Sequence, residues 1–97
     1  MDKICTMKYF NIYSDNKDHF IIHNMRKKFA EGHTHIDNYK AAKYVIYLAL
    51  YKKIPKRHLS IYLVDSVIRV STDINYIHEM EKYKQTLLDK QKERVEV

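Results

Sequence analysis

Glycine and proline each occur once in the 97 residues. Small β-proteins build their tight turns from these residues: glycine reaches positive φ without strain, and proline presets the first turn position. Their scarcity argues against a β-rich fold and against a flexible linker. Cysteine also occurs once, as Cys5, so no disulfide framework is available, and a reducing, cytoplasmic home is expected. The chain opens without the apolar region and small-residue cleavage site of a signal peptide. It shows no repeat of solenoid length. No apolar run is long enough, or free enough of lysine, to span a bilayer.

The sequence is equally short of catalytic signatures. It carries no glycine-rich phosphate loop, no G-x-S-x-G elbow and no H-E-x-x-H. Cys5 reads as a small apolar filler rather than a nucleophile. The carboxylates are scattered among lysines, as on solvated faces. The expectation is a protein without enzymatic activity and without a cofactor.

The most apolar stretch is 38–53. Ala41, Ala42, Val45, Ala49 and Leu50 recur at helical spacing, and Ile46 and Leu48 widen the stripe. This predicts a central helix, with the other segments as its cover. Residues 17–31 read as an amphipathic helix with Phe20, Ile21, Ile22, Met25 and Phe29 inward. Gly32 then follows as its positive-φ cap, and Arg26, Lys27 and Lys28 complement its dipole. Thr34, Asp37 or Asn38 could cap the central helix. Pro55 fits the first turn of a helix over 56–70. Ser71, Thr72 and Asp73 form a second cap cluster before a last helix with Ile74, Ile77, Met80, Leu87 and Leu88 as its stripe. Residues 1–15 follow neither strand nor helix period and read as an arm or short helix, and 90–97 should fray. The expected fold is all-α, a single-domain bundle of three to four helices.

Eighteen Lys and Arg against twelve Asp and Glu leave a formal charge of +6. So basic a chain suits an acidic protein, a nucleic acid or an anionic membrane surface as partner. The strongest local signal is the basic stretch Lys52, Lys53, Lys56, Arg57 and His58 around Pro55. Lys56 and Arg57 would stand in the first turn of the 56–70 helix, against its dipole, and so imply an outside anion or acidic partner. Tyr44, Tyr47 and Tyr51 lie beside them at i, i+3, i+7, near Lys40 and Lys43, as a rim of the core or a platform for bases.

Two helices joined through Pro55 also suggest a helix-turn-helix, although Ile61, Val64 and Ile68 occupy the face that would enter a groove. His19 and His23, at i and i+4, would share a helix face, with His33 and His35 in the next loop. The helix axis would hold His19 away from that loop, so no metal site is expected. The reading is therefore a regulatory or adaptor protein that binds an acidic partner protein through Lys52, Lys53, Lys56, Arg57, His58, Tyr44, Tyr47 and Tyr51. Nucleic-acid binding through the same residues is the alternative, a homodimer is compatible, and no membrane is expected.

Overall fold

The computed structural model describes residues 1–16 and 18–95. It begins with a four-stranded antiparallel meander in the order β1-β2-β3-β4: β1 (Asp2–Met7), β2 (Phe10–Asn16), β3 (His19–Asn24) and β4 (His33–Ile36). Three helices follow: α1 (Tyr39–Tyr51), α2 (Ile61–Val70) and α3 (Ile74–Val95). The fold is α+β, which corrects the all-α bundle. Residues 1–15 form strands rather than an arm or short helix, and the helix expected over 17–31 is replaced by β3 and a turn-rich loop. Lys17, where that helix was to begin, lies outside the described residues, as do Glu96 and Val97 of the expected frayed end.

The sheet obeys the period of two that strands require. Phe10 and Ile12 of β2, Phe20 and Ile22 of β3 and Ile36 of β4 face the helices and are buried. Asn11 and Tyr13 lie on the opposite face with His19, Ile21, His23, His33 and His35, as the register Ile21↔His35 and His23↔His33 requires. The β1–β2 hairpin closes across Met7↔Phe10 with Lys8 in the left-handed region at φ 58°. The register skips Ile4 in β1 and Asp15 in β2, each a β-bulge.

Asn24 ends β3 fully buried. It donates Nδ2–H to the Val70 carbonyl at 2.8 Å and accepts from the Arg26 amide at 2.8 Å. The next loop turns back on α2, where Lys27 Nζ donates to the carbonyls of Arg69 (3.1 Å) and Ser71 (3.3 Å). Lys27 therefore does complement a helix C-terminus, but that of α2. Gly32 is not at positive φ. A Cβ there would sit 2.5 Å from Lys27 Cβ, so glycine is needed for close approach, not for a cap.

Asn38 is the cap of α1, its Oδ1 accepting the Ala41 amide at 2.9 Å. The helix buries Ala42, Val45, Ile46, Leu48 and Ala49 against the sheet and α2, and leaves Tyr44, Tyr47 and Tyr51 exposed. It is therefore covered on one side only. α2, which contacts the sheet, α1 and α3, takes the central position expected of 38–53. Val64, Val67 and Val70 are its buried row, and Tyr76, Met80 and Leu87 of α3 belong to the same core.

Candidate functional site

The expected binding residues gather where α1 ends. On α1, positions 44, 47 and 51 fall on the stripe opposite the buried residues, and the rings follow one another at 6.2 Å (Tyr44–Tyr47) and 5.4 Å (Tyr47–Tyr51). Lys52 then takes a left-handed conformation, φ 53° and ψ 50°, and its amide closes back on the Leu48 carbonyl. This turns the chain into the connection 52–60.

Two tyrosines of α3 hold that connection. Tyr76, buried, donates its hydroxyl to the Lys53 carbonyl at 2.7 Å; Tyr83 donates to the Arg57 carbonyl at 2.7 Å and accepts the Leu59 amide at 3.2 Å. Their i, i+7 spacing places both on the face of α3 that looks at the loop. Pro55 is buried beneath, while Lys53, Lys56, Arg57 and His58 are exposed. The result is an open groove of about 430 Å³ lined by Tyr44, Tyr47, Leu48, Lys53, Ile54, Pro55, Lys56 and Arg57.

Of the expected set, Tyr44, Tyr47, Lys53, Lys56 and Arg57 line this groove together. Tyr51 extends its aromatic wall, and His58 lies in the same loop. Lys52 turns away, its Nζ 3.0 Å from Asp73 Oδ2. Asp73 is also the cap of α3, accepting the Tyr76 amide at 2.9 Å. That hydrogen bond first, and Lys52 second, hold its carboxyl below the ordinary carboxylate value.

Two expectations are corrected here. The helix after Pro55 starts at Ile61, behind Ser60, so Lys56 and Arg57 stand in a loop and oppose no helix dipole. The helix-turn-helix fails as well. Residues 52–60 make a connection far longer than the three or four residues such a turn uses. Moreover the exposed face of α2 is narrow, made of Tyr62, Asp65 and Arg69, with Asp65 acidic and Arg69 already donating to the His33 and Ala30 carbonyls.

The histidines form a second grouping that sequence reasoning misplaced. On a strand, residues i and i+4 lie about 13 Å apart, so His19 and His23 do not converge as they would on a helix. Instead rings run along the outer face of β3 and β4. His23 meets Phe29 at 5.2 Å, Phe29 stacks on His33 at 4.3 Å, and His33 meets His35 edge-on at 5.2 Å. His19 Nε2 and His35 Nδ1 then approach to 2.9 Å. Among the described residues, no three of His, Cys, Asp or Glu are grouped so as to hold a metal ion.

Beside this row lies a cleft of about 450 Å³ between β4 and α2, lined by His33, Thr34, His35, Tyr62, Asp65, Ser66 and Arg69. Arg69 covers the β4 edge, donating to the carbonyls of His33 (2.7 Å) and Ala30 (2.9 Å). Its other polar groups are similarly engaged: Thr34 donates to Ser66 at 2.9 Å, Tyr62 to Asp37 at 3.1 Å, and Lys84 pairs with Asp65 at 2.7 Å. Alternation in His33-Thr34-His35-Ile36 was the one sequence signal for this side of the protein.

Cys5 is half-buried and packs against the core. Among the described residues, no helix is long and apolar enough to cross a membrane. The chain matches no family model, no curated protein and no solved structure.

Proposed function

We propose that this protein is a non-enzymatic regulatory adaptor that holds an acidic, partly apolar segment of a partner protein in the groove between α1 and the 52–60 loop. One observation carries the reading: Tyr44 and Tyr47 share a single open groove with Lys53, Lys56 and Arg57, over a floor of Leu48, Ile54 and Pro55. Aromatic rings and arginine are the side chains that dominate protein interfaces, and an apolar centre inside a charged rim is their usual anatomy. The cations match an acidic segment and raise its encounter rate, while Ile54 and the rings supply apolar area. The loop is already fixed by Tyr76 and Tyr83, so binding does not have to order it.

A second reading, single-stranded nucleic acid, draws on the same exposed rings beside cations. The experiment is retention of partners by the immobilised protein from a lysate of its source cells, with nuclease treatment and a salt series. The adaptor reading expects a protein retained after nuclease, with shallow salt dependence. It also expects that protein to be lost with Lys56→Glu/Arg57→Glu, whose stability should stay within about 0.5 kcal/mol of wild type because both sites are exposed loop. Retention that vanishes with nuclease, and binding to a labelled oligothymidylate with a steep salt slope, would transfer the groove to nucleic acid.

A further inference from the structure

Asp15, His19 and His35 form a connected line across three strands. The bulge in β2 leaves Asp15 unpaired in the ladder and re-aims its carboxylate. Its Oδ1 lies 3.0 Å from His19 Nδ1. A carboxylate can only accept, so Nδ1 carries the hydrogen, and the nitrogen of His19 left to act as a ligand is Nε2. His35 opposes Ile21 in the register, which makes His19 its diagonal neighbour. Their ring planes differ by 19° and their centroids are 5.1 Å apart with Nε2 and Nδ1 at 2.9 Å, so the rings meet nose to nose.

We propose that His19 Nε2 and His35 Nδ1 form a two-imidazole site for a divalent transition-metal ion, with Asp15 as the positioning residue that fixes the ligating tautomer of His19.

The chemistry favours this class of ion. Neutral imidazole suits zinc, copper and nickel, and a ligating histidine commonly gives its other N–H to a carboxylate, as His19 does to Asp15. Metal–nitrogen bonds of about 2.0–2.1 Å at a tetrahedral angle put the two nitrogens about 3.3 Å apart. From 2.9 Å, that is an opening of about 0.4 Å, with both rings swung out of the nose-to-nose line until their lone pairs meet at one point, a movement open to side chains at the lip of a surface hollow. The hollow, of about 170 Å³, is lined by Asp18, His19, His35, Ile36, Asp37 and Tyr62. With two protein ligands, the remaining positions of the ion go to water. The alternative for the same atoms is a hydrogen bond alone, one ring donating N–H to the other.

The test is calorimetric titration of the full chain, free of any histidine tag, with zinc chloride and separately with nickel chloride. One ion per chain should bind saturably. Affinity should fall at least tenfold in His19→Gln and in His35→Gln, and about 10- to 100-fold in Asp15→Asn. The exposed histidines elsewhere serve as controls, and His58→Gln and His78→Gln should bind as wild type. Imidazole nitrogen NMR should place the ion on His19 Nε2 and His35 Nδ1. Ion-free melting of each variant at the wild-type temperature shows that loss of binding is not loss of fold, and the NMR assignment decides the matter for any variant that melts lower. No saturation up to millimolar ion, or undiminished affinity in His35→Gln, would overturn the site and leave the pair as a hydrogen bond.

Discussion

The hydroxyl of Tyr76 donates to the carbonyl of Lys53 at 2.7 Å from a side chain only 3% exposed. Burial first, then Tyr44 and Glu79, push that hydroxyl well above the ordinary tyrosine value. The folded state therefore keeps a proton that the unfolded chain releases near pH 10. The stability this contributes is complete below pH 10 and is lost progressively as pH rises beyond it. Tyr76→Phe should cost about 1–2 kcal/mol at neutral pH, by leaving the Lys53 carbonyl without its donor. In denaturant titrations from neutral pH to 11, the variant should also show a shallower alkaline decline than wild type.

Tyr83 tests whether a rigid loop matters to the groove. It lines none of the groove, yet holds Arg57 and Leu59 by two backbone hydrogen bonds. Tyr83→Phe should lower stability by about 0.5–1.5 kcal/mol. The Leu59 amide should then exchange faster with deuterium, and partner retention should weaken with every lining residue intact. Unaltered retention alongside faster exchange would show that the groove does not depend on that anchor.

Asp73 should contribute to the acid limb. Its carboxyl is held below the ordinary value by the Tyr76 amide and then by Lys52. The stability it contributes is therefore present above about pH 4, and disappears as pH falls through the lowered folded value. Asn is as good a cap as Asp, so Asp73→Asn should keep α3 capped while flattening the melting-temperature profile between pH 5 and 2. A profile unchanged by Asp73→Asn would place the acid sensitivity elsewhere.

Ile22 tests the sheet. It is fully buried on the inner face of β3, so Ile22→Ala should cost about 2–5 kcal/mol through lost burial and a cavity. Ile74, 67% exposed at the start of α3, provides the contrast: Ile74→Ala should change stability by less than about 0.5 kcal/mol. Chemical denaturation reads both, and equal losses would contradict the layering described above.

The helical half of the molecule was legible in the sequence because its signals are local. Asn38 and Asp73 cap where short polar residues precede apolar periodicity, and the 3.6-residue repeat of Ala42, Val45, Ile46 and Ala49 has no competitor. The sheet was hidden by its turns and bulges. Lys8 takes the left-handed position that Gly or Asn would have advertised, and the bulges at Ile4 and Asp15 break the alternation on either side. Phe20-Ile21-Ile22 reads as a helical stripe because Ile21 is buried although it lies on the outer face, among the histidines and Tyr13. The basic groove could be anticipated, since the loop lies beside the tyrosines in sequence. Cations set against a helix dipole do not mark it, because α2 starts at Ile61. His19 and His35 are sixteen residues apart and meet only through the register of β3 and β4, which composition cannot reveal.

The strand order carries a consequence for how the chain is made. Every strand pairs with its neighbour in sequence, and hairpins close in about 1–10 μs, while a ribosome adds only about 5–20 residues each second. A nascent chain can therefore complete its meander well before α1 and α2 emerge. Through that interval Phe10, Ile12, Phe20, Ile22 and Ile36 form an oily sheet face with no cover of its own. The interval shortens as α1 packs on the sheet and ends when α2 follows and Asn24 meets the carbonyl of Val70, forty-six positions further along.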